Sequence, residues 1–318
     1  MPSIAHLHES GLLAAILPHF AAGPEVELGP GDDAAVVRLP SSRLVITTDA
    51  LVEGADFLLP ATSPESIGAK AAVQNLADVA AMGARPIAVV VALSAPPSTQ
   101  LAVLEGISRG LADRCAEHGV SVVGGDLGRA DQLSIAVTAV GALGEDEEPI
   151  TRGGARPGDV LAIGAPLLGR SAAGLAQLLA GDLSGEHVAW HNAPAPDLSL
   201  GWGAGRGAHA MMDLSDGLVR DGGRLAAASG VRIDLSRALL AADATALAPA
   251  AHALAADPWD YVLHSAEEHA MLAAFGPGGV PEGFRPIGRV EERRPEDGDG
   301  VLLLDGATIS GQGWEHFV

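Results

Sequence analysis

The chain has 318 residues, 48% of them apolar but only 3% aromatic, with one cysteine and a formal net charge of −21. That length accommodates two domains or one large α/β unit, and the composition is that of a globular chain whose core is built from small aliphatic side chains. The charge excludes sequence-independent binding of nucleic acid, which needs a basic surface, and a single cysteine, Cys115, excludes an intrachain disulfide or a cysteine-based zinc site. No Lys or Arg precedes Arg38, and the apolar patch 12–17 is stopped by Pro18 and His19, so the charged start of a signal peptide is missing. No apolar run approaches about 18 residues. A cytoplasmic protein without a membrane segment is expected.

Residues 34–39 and 44–52 read as strands, rich in Val, Ile and Thr. Residues 64–83 read as a helix with Pro at its start and Gly at its end. A strand at 87–93, a helix at 99–118 that contains Cys115, and β segments at 120–123 and 133–143 follow. This alternation predicts a layered α/β domain. The acidic stretch 145–149 and the turn-rich Thr151-Arg-Gly-Gly-Ala-Arg-Pro-Gly-Asp159 mark the expected boundary, giving domains 1–148 and 149–318. Beyond it come a strand at 160–164, a helix after Arg170, a Pro-rich loop at 192–196 and a strand running into Asp213. A helix at 216–229, a strand at 231–235, and shorter β segments and turns over the last forty residues complete the chain.

Aspartates recur where predicted strands end or helices begin. Asp32 and Asp33 follow Gly29-Pro-Gly31, Asp49 ends the run Val45-Ile-Thr-Thr48, and Asp126 follows Val122-Val-Gly-Gly125. Asp213 follows Ala210-Met-Met212, and Asp216 comes after Leu214 and Ser215. Open α/β sheets bind ligands at strand ends, and clustered hard oxygen donors suit Mg²⁺. Each of these positions is also one where a turn or a helix cap commonly places an aspartate. Asp78 differs, because it lies inside an apolar helix, one turn past Gln74 and two turns past Lys70, the only lysine. A carboxylate there is costly unless paired or metal-bound, so an ion pair with Lys70 and a metal site both account for it. No G-x-x-x-x-G-K-[ST] loop is present, and Asp32-Asp33 would repel a pyrophosphate from Gly29-Pro-Gly31. H-E-x-x-H is absent too, and Gly106-Ile-Ser-Arg-Gly110 falls inside the predicted helix 99–118, not at the strand-to-helix turn a nucleophile elbow needs. Phosphate binding would then have to work through metal ions.

Six ordered segments resemble the thiamine-monophosphate kinases, within the superfamily named for aminoimidazole ribonucleotide synthetase. They are Gly29-Pro-Gly-Asp-Asp-Ala-Ala35, Thr47-Thr-Asp-Ala-Leu-Val52, Asn75-Leu-Ala-Asp-Val-Ala-Ala-Met-Gly-Ala84, Val123-Gly-Gly-Asp126, the 151–159 segment and Asp213-Leu-Ser-Asp-Gly-Leu218; the ending Gly313-Trp-Glu-His-Phe317 also matches. The resemblance implies an N-terminal α/β domain that contributes strands to a homodimer interface and a C-terminal α+β domain. It implies several Mg²⁺ ions, with ligands at Asp33, Thr47, Thr48, Asp49, Asp78, Asp126, Asp213 and Asp216, of which Asp33, Asp49, Asp126 and Asp213 serve catalysis. ATP contacts fall on Gly125, Arg152 and Ser215, and substrate contacts on Asp56, Glu267 and Trp314. The implied reaction transfers the γ-phosphoryl group of ATP to thiamine monophosphate, giving the diphosphate. The acceptor is already an anionic phosphate and needs no strong base, so positioning and charge neutralisation carry the catalysis.

The departures from the family pattern lie near the acceptor. Its usual Gly-Gly-Glu-Asp is here Ser265-Ala-Glu-Glu268, a histidine before phenylalanine is replaced by Asp56 in Gly54-Ala-Asp-Phe57, and Ala77 stands where Ser is common. If the two lost glycines took positive φ, their replacement costs room for a close backbone approach. Restoring the family pattern through Ser265→Gly, Ala266→Gly and Glu268→Asp together is then expected to raise turnover. A superfamily sibling with another acceptor, or a non-catalytic ATP-binding relative, is the alternative reading.

Overall fold

The computed structural model describes residues 3, 4, 7, 9–31 and 33–309. The fold is mixed α/β, and the chain divides into two compact units, residues 1–79 with 84–147 and residues 80–83 with 148–318.

The first unit runs α1 (Glu9–Ile16), β1 (Val26–Leu28), β2 (Val36–Val37), β3 (Leu44–Val52), α2 (Pro64–Ala81), β4 (Arg85–Ala95), α3 (Leu101–Glu117), β5 (Ser121–Arg129) and β6 (Ser134–Ala142). Its four-stranded sheet has the order β3-β6-β4-β5. β6 pairs antiparallel with both β3 and β4, and only β4 and β5 are parallel. The strand expected over 34–39 shrinks to the two residues of β2, which pair with β1. β5 runs on through Gly124, Gly125 and Asp126 where the glycines predict its end. The reason is local: Gly125 lies so close to β4 that a Cβ there would sit 1.9 Å from the Val91 carbonyl oxygen. Glycine weakens a strand, and here it permits a close backbone approach to β4.

Helix α2 is buried nearly all round, with Ile67, Ala72, Val73, Leu76 and Val79 at 0% exposure. It crosses α3 with the two backbones in contact. A Cβ on Gly68 would lie 2.0 Å from the Ile107 carbonyl oxygen, and one on Gly110 1.9 Å from that of Glu65. Neither obstacle is a side chain that can turn away. Gly110→Ala is therefore expected to destabilise the first unit by about 1–3 kcal/mol through overpacking, read as a lower urea midpoint; an unchanged midpoint would refute the close crossing. Cys115 is fully buried in α3, and burial pushes its thiol up to about 12.

The second unit contains β7 (Val160–Ile163), α4 (Arg170–Leu179), α5 (Glu186–Asn192), α6 (Ser199–Trp202), β8 (Ala210–Asp213), α7 (Leu218–Ser229) and β9 (Val231–Leu235). It continues with α8 (Arg237–Ala253), α9 (Pro258–His264), β10 (Met271–Phe275), β11 (Arg285–Glu292), β12 (Leu302–Leu304) and β13 (Ala307–Thr308). Seven strands form one sheet in the order β13-β12-β9-β11-β7-β10-β8, antiparallel except for β12 beside β9. The core joins the inner strands to α7, α8 and α9 through Leu161, Leu225, Ile233, Leu247 and Val262. Helices α8 and α9 are absent from the sequence expectation. Pro249 interrupts the pattern of α8, while α9 is seven residues long and starts on Asp257, which caps the Trp259 N–H (3.0 Å), with Pro258 next. Among the described residues no single helix is long and apolar enough to cross a membrane.

Antiparallel pairing corrects the strand-end argument. Asp49 and Asp126 sit inside β3 and β5 and do not end them, whereas Asp213 does end β8. Helix α7 starts at Leu218, which leaves Asp216 in the loop before it.

Candidate active site

Successive side chains on a strand point to opposite faces, and on β3 this sorts the candidate ligands. Thr47 and Asp49 face α2. Thr47 Oγ1 donates to Asp78 Oδ2 (2.8 Å), and the Gln74 amide donates to Asp49 Oδ2, whose other oxygen accepts the Ala50 N–H (2.8 Å). Asp78, Gln74 and Lys70 occupy successive turns of one α2 face, and Lys70 Nζ, although buried, donates to the Asp56 carbonyl oxygen (3.0 Å). Thr47 is thus a partner of Asp78, a contact the sequence reading of that carboxylate did not contain. Asp56 turns onto its own loop, where Oδ2 accepts the Val52 N–H (2.7 Å).

Thr48 lies on the opposite face, bonded through Oγ1 to the Val137 carbonyl oxygen (3.1 Å) and to Thr138 (3.0 Å). Asp126 is on that face too, since its register runs through Ala92 and Ala136 to Ala50. There a cavity of about 890 Å³ is lined by Asp33, Leu44, Val90, Gly125, Asp126 and Val140 among others. The first unit therefore brings together Thr47, Asp49 and Asp78 on one side and Thr48 and Asp126 on the other, while Asp33 and Gly125 join Asp126 in lining the cavity. It does not merge the two groups.

In the second unit Asp213, Ser215, Asp216 and Glu267 are joined by two strapped loops. The Glu267 N–H donates to the Ser215 carbonyl oxygen and the His269 N–H to that of Leu214, both at 2.8 Å. His269 Nδ1 lies 3.1 Å from Asp213 Oδ2. Glu267 and His269 take positive φ, 58° and 53°, so backbone strain sits on the two residues flanking Glu268. Ser265 has φ −67° and Ala266 is not among the residues of positive φ, so the steric cost expected from the missing glycines does not arise. Arg152 is exposed, with its carbonyl oxygen accepting from Ser229 Oγ (3.0 Å). Trp314 and Asp32 lie outside the described residues.

Asp221 and Arg224 shape this site without having stood out in the sequence, and Ser265 and Glu268, noted there only as departures, have structural partners the sequence did not show. Glu268 is fully buried: Oε1 accepts from the Ser171 N–H (2.9 Å) and Ser265 Oγ (2.7 Å), and Oε2 from the Trp190 indole N–H (2.9 Å). Ser265 Oγ in turn accepts the Ala172 N–H (3.0 Å), so these two side chains satisfy free donors in the first turn of α4, whose own N-cap is a glycine. Burial raises the Glu268 carboxyl above its ordinary range, against the pull of those donors. Asp221, fully buried in α7, bonds the Asp216 N–H, and Arg224 bridges it to Asp216. Burial pushes Asp221 up to about 6. An acid and a base three apart at a helix start, Asp221 and Arg224, were the available signal.

All the candidate ligands offer hard oxygen, which fits Mg²⁺ or Mn²⁺. Among the described residues no three His, Cys, Asp or Glu side chains converge as a metal site.

The sequence matches the N-terminal domain of AIR synthase related proteins over residues 31–143. Two solved structures share the whole fold. One is AaThiL complexed with AMPPCP and TMP, with TM-score 0.77 and 29% identity, covering 100% of this chain and 99% of that one. The other is the thiamine-monophosphate kinase of Stenotrophomonas maltophilia, with TM-score 0.78 and 28% identity, covering 97% and 99%. The fold and the domain match together define an AIR synthase-related protein. Over 320 residues, 99% of this chain and 93% of the relative, it is 43% identical to the thiamine-monophosphate kinase of Mycobacterium tuberculosis. The chain belongs to the thiamine-monophosphate kinase family.

Proposed function

We propose that this protein phosphorylates thiamine monophosphate with ATP, giving thiamine diphosphate and ADP. The observation that carries the reading is a set of oxygen donors mounted on ordered strands and one buried helix, in a chain 43% identical over 99% of its length to a kinase of that name. In the reaction the bond between the γ-phosphorus and the bridging oxygen breaks, ADP leaves with that electron pair, and an acceptor phosphate oxygen forms the new bond. Mg²⁺, held by Asp33, Thr47, Thr48, Asp49, Asp78, Asp126, Asp213 and Asp216, would neutralise phosphate charge. Thr47 and Gln74 fix the directions of Asp78 and Asp49 in advance, so little reorganisation is needed when charge develops. Gly125, Arg152 and Ser215 belong to the nucleotide, and Asp56, Glu267 and Trp314 to the acceptor. The domain boundary at 148 and a cytoplasmic location are part of the same reading. The test is a direct assay of the purified chain with ATP, MgCl₂ and thiamine monophosphate, scored for thiamine diphosphate by chromatography. Metal-dependent product is expected, and ATP binding without product would defeat the reading.

A homodimer is also proposed, supported by an uncovered apolar sheet face. Leu44 (49% exposed), Ile46 (62%) and Val90 (40%) stand on the face shared with Thr48 and Val140. A patch of that kind marks an association surface, and a two-fold dimer would bury it against itself. Ile46→Asp is expected to halve the mass seen by light scattering; a wild-type monomer would contradict the proposal.

A further inference from the structure

The carboxylate of Asp216 is already engaged. One nitrogen of Arg224 lies 2.5 Å from Asp216 Oδ2 and 2.9 Å from Asp221 Oδ1. The other Asp221 oxygen accepts the N–H groups of Asp216 (2.8 Å) and Gly217 (3.1 Å). Asp221 is therefore a fixed post: it is fully buried, both its oxygens are committed, and it holds the backbone of the loop as well as the seat of the guanidinium. Arg224 is the more open of the three, with 37% of its side chain exposed against 0% for Asp221 and 18% for Asp216. Arg220 approaches the same Asp216 oxygen only to 3.9 Å.

We propose that Arg224 is a built-in stand-in cation, holding the Asp216 carboxylate in the metal-free protein and yielding it to the divalent ion that arrives with the nucleotide. Asp221 keeps the loop in shape through the exchange. The inference rests on Asp216 being a metal ligand. A guanidinium and a metal ion competing for one oxygen weaken each other by the same factor. A lone divalent ion then gains little at Asp216, whereas an ion already carrying phosphate oxygens has the extra ligands to displace Arg224. The released guanidinium has the planar fork that pairs with phosphate, so it need not be left without a partner. Cation binding at this position is thereby made conditional on nucleotide.

The test is a Mn²⁺ titration of the whole chain without nucleotide, following the free ion by electron paramagnetic resonance. Arg224→Gln is expected to bind Mn²⁺ at least about fivefold more tightly, and Asp216→Asn to bind it more weakly. Adding Arg224→Gln to Asp216→Asn should change nothing further. Unchanged or weaker binding in Arg224→Gln, with Asp216→Asn still weakened, overturns the stand-in role while leaving the ligand assignment intact. No effect of Asp216→Asn removes the ligand assignment itself and the inference with it. A purely structural Arg224 would lower the metal-free unfolding midpoint without raising Mn²⁺ affinity. If Arg224→Gln does not fold, Arg224→Lys, with a shorter single-nitrogen head, is titrated in its place; tighter binding supports the exchange and equal binding opposes it.

Discussion

Asp49→Ala is expected to lower kcat/KM by about 10²–10³-fold, the scale seen when one preorganised electrostatic group is removed from an active site. The carboxylate is held on two sides, by the Gln74 amide and by the Ala50 N–H. It stands beside the Thr47–Asp78 pair on the α2-facing side of β3. Truncation deletes an oxygen donor without touching the core, because the packed residue nearest on this strand is Leu51, at 2% exposure. The stability loss should stay near that of its hydrogen bonds, about 1 kcal/mol. A kinetic assay paired with urea unfolding separates the two effects. Activity within tenfold of wild type would mean Asp49 is not among the working ligands.

The largest effect on stability should come from Glu268→Ala, which strands two buried donors, the Ser171 N–H and the Ser265 hydroxyl, and the partly buried Trp190 indole N–H. At about 1 kcal/mol or more for each unsatisfied donor, the loss is about 3 kcal/mol or more. It should also displace the neighbouring Glu267, whose backbone is strapped to Ser215. The pH dependence has a definite sign. Because the folded-state pKa of Glu268 is raised, the folded protein retains a proton that the unfolded chain has lost, so the contribution falls as pH rises. It falls from near the ordinary glutamate value of 4.5 up to the raised folded value. Subtracting the Glu268→Gln stability curve from wild type should display that decline, and a flat difference would contradict the burial argument. The same geometry reverses the expectation for Ser265→Gly, Ala266→Gly and Glu268→Asp combined. The shorter aspartate and the lost hydroxyl leave the α4 donors unsatisfied, so the triple change should destabilise the chain without raising turnover.

The sequence announced the elements whose periodicity is undisturbed. The strand 231–235 and the helix starting at Pro64 stand where expected. What it hid follows from two causes. Glycines read as punctuation, and in β5 they serve a close ladder, so the strand outran its expected end. Pairing direction is not written in local pattern, so the first sheet reads as layered α/β while two of its three neighbour pairs run antiparallel. The candidate ligands themselves were legible as residue types in ordered motifs. Their partners were not: Gln74 bonds Asp49 across 25 positions, and Glu268 reaches Ser171 across 97. Such contacts are set by how elements stack, which no single-chain periodicity records.

The strand order also acts as a ruler. β3 and β5 are the two outer strands of the first sheet, with β6 and β4 between them. At about 4.8 Å per neighbour, their axes are on the order of 14 Å apart. An octahedral magnesium ion reaches its oxygens at about 2.1 Å, so two aspartate side chains cannot close that span, and here they leave opposite faces as well. Within one copy of the sheet, any single ion can therefore draw on Asp49 or Asp126 but not on both. If both act as the proposed metal ligands, coordination arithmetic gives these two acidic positions separate ions in a lone protomer, and Asp126→Asn should leave an ion at Asp49 in place.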